Sequence, residues 1–142
     1  RLRLPLTLAI IDGLVIEVGK ERHVVPTYMV REMLRLTPEM VSTVEGKSEM
    51  ALIRGKLVPI RRLYEWLEVE PRCREAWEGL LVVSESQGRP YGLLVDHVLG
   101  KQEIVVKSLG PLMKHLRGVA GGGILGDGRV GLILDLETIF RG

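Results

Sequence analysis

Between Arg89 and Leu109 the chain reads Arg-Pro-Tyr-Gly-Leu-Leu-Val-Asp-His-Val-Leu-Gly-Lys-Gln-Glu-Ile-Val-Val-Lys-Ser-Leu, a pattern in which no helix is sustained. Tyr91, Leu93 and Val95 alternate onto one face. Ile104-Val105-Val106 is a β-branched run suited to a buried strand, and Gly100 stands between the two segments. Glycine reaches backbone angles closed to other residues, so Leu99-Gly100-Lys101 is expected to be a bulge or corner that turns a strand around a small barrel. The rest of the chain has to accommodate two extended segments joined at that bend.

The remaining sequence supplies further short strands with turn signals between them. Arg1 to Ile11 alternates Arg and Leu without an initiating methionine. It is expected to continue from a preceding segment, with Pro5 confining it to a sheet edge. Leu14–Val18 and Arg22–Val25 flank Gly19-Lys20 as a first hairpin. The spacing of Met29, Met33 and Leu36 predicts a turn or two of helix ending at Thr37-Pro38. A short strand is expected within Met40–Glu49. Ala51–Arg54 and Leu57–Arg61 then flank Gly55-Lys56 as a second hairpin, and Leu63, Trp66 and Leu67 fall at helical spacing. A charged linker follows from Glu68 to Glu78, and the boundary between two lobes is expected near residues 68–79. Leu80–Ser84 and Arg89–Val95 flank Gln87-Gly88, and Pro111–Leu116 reads as one helical turn. Val119–Leu125 and Arg129–Leu134 surround Asp127-Gly128, a strong hairpin signal, and Asp135 can cap a last helix over Leu136–Phe140. Ala51–Leu67 and Ile124–Phe140 echo each other as strand, turn, strand, short helix. Roughly ten short strands at this spacing predict an all-β chain of two small barrels rather than a parallel sheet.

A length of 142 residues suits one domain or two small lobes sharing a core. Aromatics are only 4% of the chain, so aliphatic side chains must fill the interior. The net charge of +2 comes from 20 basic and 18 acidic residues that are interspersed, not gathered into the basic stripe a nucleic acid demands. A small β-barrel module binding single-stranded nucleic acid is the alternative from another class. One Phe, three Tyr and two Trp make a poor stacking platform for it. Cys73 is alone, which excludes an internal disulfide and suits a reducing compartment. No apolar run approaches the ~20 residues that span a bilayer and no signal-peptide pattern opens the chain, so direct membrane insertion is not expected and a cytoplasmic location is.

Candidate chemistry is sparse. Gly121 to Gly126 matches the spacing G-x-G-x-x-G, but that motif needs a helix N-terminus after it, and here Asp127-Gly128 and a strand follow. His23, His97 and His115 are scattered, with no second ligand at metal spacing, and Ser84, Ser108 and Cys73 lack the partners of a nucleophile. Asp12, Asp96, Asp127 and Asp135 each have a turn or cap explanation, although Asp96 beside His97 could form an oriented pair. No active site, cofactor or metal is expected. Met29, Met33, Met40 and Met50 offer adaptable apolar surface of the kind used at protein contacts. Glu32 and Arg54 are the opposite charges best placed to bridge the segment after the first hairpin to the turn of the second.

Several of these motifs together carry a resemblance. Ile53-Arg54-Gly55-Lys56-Leu57-Val58-Pro59-Ile60, Tyr91 to Gly100, Lys107-Ser108-Leu109, and Gly118-Val119 with Ile124 to Gly128 occur in the order found in the CheW-like domain of bacterial chemotaxis, and the chain resembles that family over nearly its whole length. Arg3 to Ile10 resembles the segment by which the ATP-binding domain of a CheA-type histidine kinase runs into its C-terminal CheW-like regulatory domain. The resemblance therefore implies a junction over residues 1–12 and a regulatory domain over 13–142 made of two SH3-like five-stranded barrels. It implies docking with the CheW adaptor and the cytoplasmic tips of chemoreceptors, at membrane-associated arrays, and control of the kinase domain of the same protein, whose ATP site and phosphorylated histidine lie in other domains. A stand-alone CheW-type adaptor is the alternative within the family. Glu32 and Arg54 occupy the acidic and arginine positions that the family links to receptor and kinase control. Gly122 and Gly123 depart mildly from the small-residue pattern of their loop, which implies only added flexibility there.

Overall fold

The computed structural model describes residues 9–44, 48–71, 75–107 and 119–141. The strand expected around Pro5, most of the junction segment, Cys73, Ser108, His115, Gly118 and the turn at Pro111–Leu116 lie outside the described residues.

Eleven strands are present among the described residues. They are β1 (Ala9–Val18), β2 (Glu21–Pro26), β3 (Glu32–Leu34), β4 (Val41–Val44), β5 (Ser48–Ile53), β6 (Lys56–Arg62), β7 (Leu80–Ser86), β8 (Arg89–Val95), β9 (His97–Lys107), β10 (Val119–Ile124) and β11 (Val130–Leu134). Two short helices complete the described elements of the frame, α1 (Leu63–Leu67) and α2 (Leu136–Arg141), with three single 3₁₀ turns between strands. Strands β1-β2-β11-β10-β9 close into a five-stranded barrel, and the other six form a sheet of order β3-β7-β8-β6-β5-β4. The fold is thus all-β with two barrel-like lobes, the second built from six strands where five were expected.

The lobes are not consecutive in sequence. The six-stranded sheet is inserted between β2 and β9, and within it β6, which precedes residues 68–79, pairs in parallel with β8, which follows them. The boundary expected at residues 68–79 therefore falls inside one lobe. The crossings lie at the segment after Pro26 and at Asp96.

Strands β1, β7 and β8 are among those buried on both faces, which is why their sequences read as continuous apolar runs. Alternation sends Leu14, Ile16 and Val18 of β1 into a central core, together with Val82, Leu93 and Val95 of β7 and β8 and Ile139 and Phe140 of α2. The intervening Val15 faces the inside of the barrel with Val24 and Ile104, and Leu81, Val83 and Leu94 face the inside of the six-stranded sheet with Ile53 and Ile60. One hydrophobic layer is therefore shared between the lobes.

The expected corner at Gly100 is a β-bulge. Val15 pairs with Gly100 and Ile16 with Val98, so Leu99 is the extra residue, and Gly100 has a φ of +132°. The break between the two extended segments comes earlier, at Asp96, leaving β9 continuous through the bulge. The hairpin at Gly19-Lys20 forms as expected, whereas the second hairpin turns at Arg54-Gly55, because Ile53 pairs with Lys56. The helical turns expected over residues 29–36 do not form. A 3₁₀ turn covers Thr27–Met29, and Glu32-Met33-Leu34 pair with Val83-Val82-Leu81 as strand β3, the gain in sheet pairing outweighing a weak helical spacing. The last hairpin has a three-residue loop, Gly126-Asp127-Gly128, with Leu125 N–H donating to Arg129 O at 2.8 Å.

Candidate functional site

Hairpin β5–β6 ends in two residues with positive φ, Arg54 at +51° and Gly55 at +80°, the geometry of a type I′ turn. Arginine is an uncommon occupant of that backbone region. From the turn its guanidinium reaches Glu32 on β3 in a two-pronged contact, Nη1 donating to Oε2 at 3.0 Å and Nη2 to Oε1 at 2.6 Å. The sequence-based pairing of these two residues is thus a real contact. Strands β7 and β8 lie between β3 and β6 in the sheet, so a contact across them requires the sheet to curl. The ion pair spans the resulting mouth, above a cavity of about 370 Å³ floored by Ile53, Val58 and Val83. Arg31 and Glu85 form a second rim pair, at 3.4 Å. The Arg54 side chain remains 76% exposed, so most of its surface is available to a partner. On the outer face of the same hairpin Leu52 and Leu57 pair directly and are 50% and 55% exposed.

A second and larger groove, about 580 Å³, runs between the lobes under α2. Tyr91 of β8 stacks on Phe140 at 4.9 Å between ring centroids, and Arg61 donates to the Phe140 carbonyl at 3.3 Å. Met50 lines this groove, Met33 is exposed on β3, and Met29 and Met40 pack against the cores. In the groove wall Arg62 donates to Glu49 through Nε at 2.5 Å and Nη2 at 2.8 Å, beside the Tyr64 hydroxyl. The hydrogen bonds Arg62 donates to Glu49 raise its pKa further above its already high range, against the opposing effect of burial. Sequence reasoning missed this pair. The expected strands stopped short of both residues, at Ala51 and Arg61, whereas β5 begins at Ser48 and β6 runs to Arg62, which makes Glu49 and Arg62 diagonal neighbours on one face.

Several of the other candidates have structural partners. His23 is buried and accepts the Leu132 N–H on Nδ1 at 3.0 Å, which leaves the Nε2 hydrogen of the neutral ring to face Glu21 Oε1 at 2.8 Å. His97 is exposed, and the Asp96 carboxylate accepts from the Gly19 amide. Asp135 accepts from the Thr138 hydroxyl at 2.9 Å at the start of α2. The glycines at 121–123 belong to strand β10 and lead through a turn into β11, so no helix N-terminus follows them. Among the described residues no group of three or more His, Cys, Asp or Glu is arranged to hold a metal, and no helix is long and apolar enough to cross a membrane.

Comparison with known proteins adds to this geometry. The family model for the CheW-like domain matches residues 12–142. The chain is 37% identical over 139 residues to a chemotaxis protein CheA from Klebsiella aerogenes and 36% identical to one from Salmonella typhimurium, covering 98% of this chain and 21% of the relative in each case. It is 35% identical to the sensor histidine kinase CheAY of Helicobacter pylori, of which it covers 17%. The chain thus spans about a fifth of the length of these relatives. Among solved structures, the scaffolding protein TtCheW of Thermoanaerobacter tengcongensis superimposes with a TM-score of 0.73 over 94% of both chains at 20% identity, a likeness of fold.

Proposed function

This chain belongs to the CheW-like domain family, and from that premise we propose that it is the regulatory domain of a CheA-type chemotaxis histidine kinase. In this reading it docks with a CheW adaptor and with chemoreceptor tips in cytoplasmic arrays and relays receptor state to its own kinase domain. The observation that carries the reading is the match, across almost the whole chain, to CheA-type proteins. The geometry supports it: paired exposed leucines on a hairpin, a half-open barrel mouth and an inter-lobe groove are surfaces suited to recognising other proteins. Arg54 and Glu32 are proposed as the residues through which a receptor acts, with Arg54 the accessible member of the pair.

Titration of the folded domain with adaptor and, separately, with receptor tips tests this. Stable docking buries ~1,200 to 2,000 Å² in total and is readily measured by calorimetry. Binding to adaptor or receptor is the expected result, and failure to bind both with the fold intact refutes it. The likeness to a scaffolding protein favours a second reading, a stand-alone adaptor. That reading expects binding to the regulatory domain of a separate CheA-type kinase in place of the adaptor.

A further inference from the structure

One residue, Asp96, carries the chain from β8 in the six-stranded sheet to β9 in the barrel. Its N–H donates to Glu17 O at 3.0 Å, and its Oδ2 accepts the Gly19 N–H at 2.6 Å. Asp96 is only 9% exposed, and a carboxylate so placed is costly unless hydrogen bonds hold it. The hairpin tip it grips has no slack. Gly19 has a φ of +59°, and a Cβ there would strike the carbonyl oxygen of Glu70, in the segment that leaves α1. On the other side of the crossing, a Cβ on Gly79 would strike the carbonyl oxygen of Val95. The hairpin tip, the segment leaving α1, the approach to β7 and the β8–β9 crossing therefore lie close together at the lobe junction.

We propose that Asp96 is a positioning residue that fixes the angle between the two lobes, by locking the tip of the β1–β2 hairpin against the β8–β9 crossing. A displacement imposed on either lobe is then passed to the other as a rigid movement, not absorbed at a hinge. The pin operates whichever partner the domain docks. The shared hydrophobic layer resists separation of the lobes but is non-directional, and the Asp96 contact adds the directional constraint that sets their angle.

The test measures lobe order apart from stability. Spin labels at Ser42 on β4 and Val130 on β11, in a Cys73→Ser background, report the inter-lobe distance distribution in Asp96→Ala and Asp96→Asn. Amide exchange is followed in the same proteins. In Asp96→Ala the distance distribution broadens and the Gly19 amide loses about 10- to 100-fold of its protection, as expected for one lost bond to a charged acceptor. Protection within β7–β8 and β10–β11 stays close to wild type. Asp96→Asn, which keeps an acceptor oxygen without the charge, is intermediate in both readouts. An unbroadened distribution in folded Asp96→Ala, or protection lost equally through both sheets, overturns the proposal. If the alanine variant does not fold, the asparagine variant decides: a wild-type distribution alongside reduced Gly19 protection overturns it.

Discussion

Arg54 meets two physical demands at once. Its left-handed backbone costs on the order of 1 kcal/mol, while the exposed pair with Glu32 returns only about 0–1 kcal/mol. Stability therefore gives little reason for arginine at this turn, and Arg54→Ala should change the urea midpoint by less than about 1 kcal/mol equivalent; under the proposed function it should also weaken receptor control of phosphorylation when the domain is placed in a full-length CheA-type kinase. A collapse of the melting temperature would make the residue structural. The pair was legible in the sequence because one partner flanks a turn signal and both lie near strand ends; Glu49–Arg62 was not, because both residues lie just beyond the strand ends that local pattern indicated, and only pairing extends β5 and β6 to include them. Asp127 is a case where chemistry fixes a pH window. The backbone N–H of Arg129 first, and then the charges of Arg129 and Arg22, hold its pKa below the ordinary 3.8. A depressed carboxylate stabilises the fold at any pH well above that ordinary value and loses the effect as pH falls through the folded pKa. The stability difference between wild type and Asp127→Asn should be flat from neutrality to about pH 5 and shrink only in stronger acid, as read by denaturant melts across pH.

At the scale of the element, regular pairing is interrupted at the bulge in β9, at the seam of the barrel and at a register shift between Val119 and Gly121 in β10, the first two of which can be tested by substitution. A methyl group added at Gly100 would touch no neighbouring atom, so glycine is required there by φ and not by space. Gly100→Ala should cost about 1–3 kcal/mol in thermal unfolding, against a negligible change for a strand position with ordinary φ. The seam is the parallel contact of β2 with β11, registered at Ile133 and Val24 and reinforced by the Leu132 N–H on His23. Removing that acceptor leaves a backbone amide unpaired, so His23→Ala should cost about 1–3 kcal/mol and speed amide exchange at Leu132 more than in β7 or β8. The bulge could be read from a single glycine inside a strand pattern. The seam could not, since a strand closing a barrel is adjacent in space and far apart in sequence. The helix expected at residues 29–36 failed for a related reason: β3 has three residues, too few for period-two alternation to outweigh a chance helical spacing.

Over the whole molecule, the interleaving of lobes sets what can be separated. Residues 1–71 and 75–142 divide the chain at the charged linker, yet β3 pairs with β7, β6 with β8 and β1 with β9 across that cut. Each half produced alone should show no cooperative unfolding by circular dichroism, and mixing the two should restore it; an independently folded half would contradict the topology. Turn residues, β-branched runs and the absence of long periodic segments were enough to establish an all-β chain and most of its hairpins, because these are local preferences written within a few residues of one another, while the family was legible only through the resemblance of several separated motifs. Which strands close the barrel, the sixth strand of the second lobe, the hydrophobic layer shared by both lobes and the grip of Asp96 on Gly19 were decided only by the tertiary structure. Those contacts join residues far apart in the chain, and their partners are chosen by packing both faces of the same strands, a condition that local pattern does not encode.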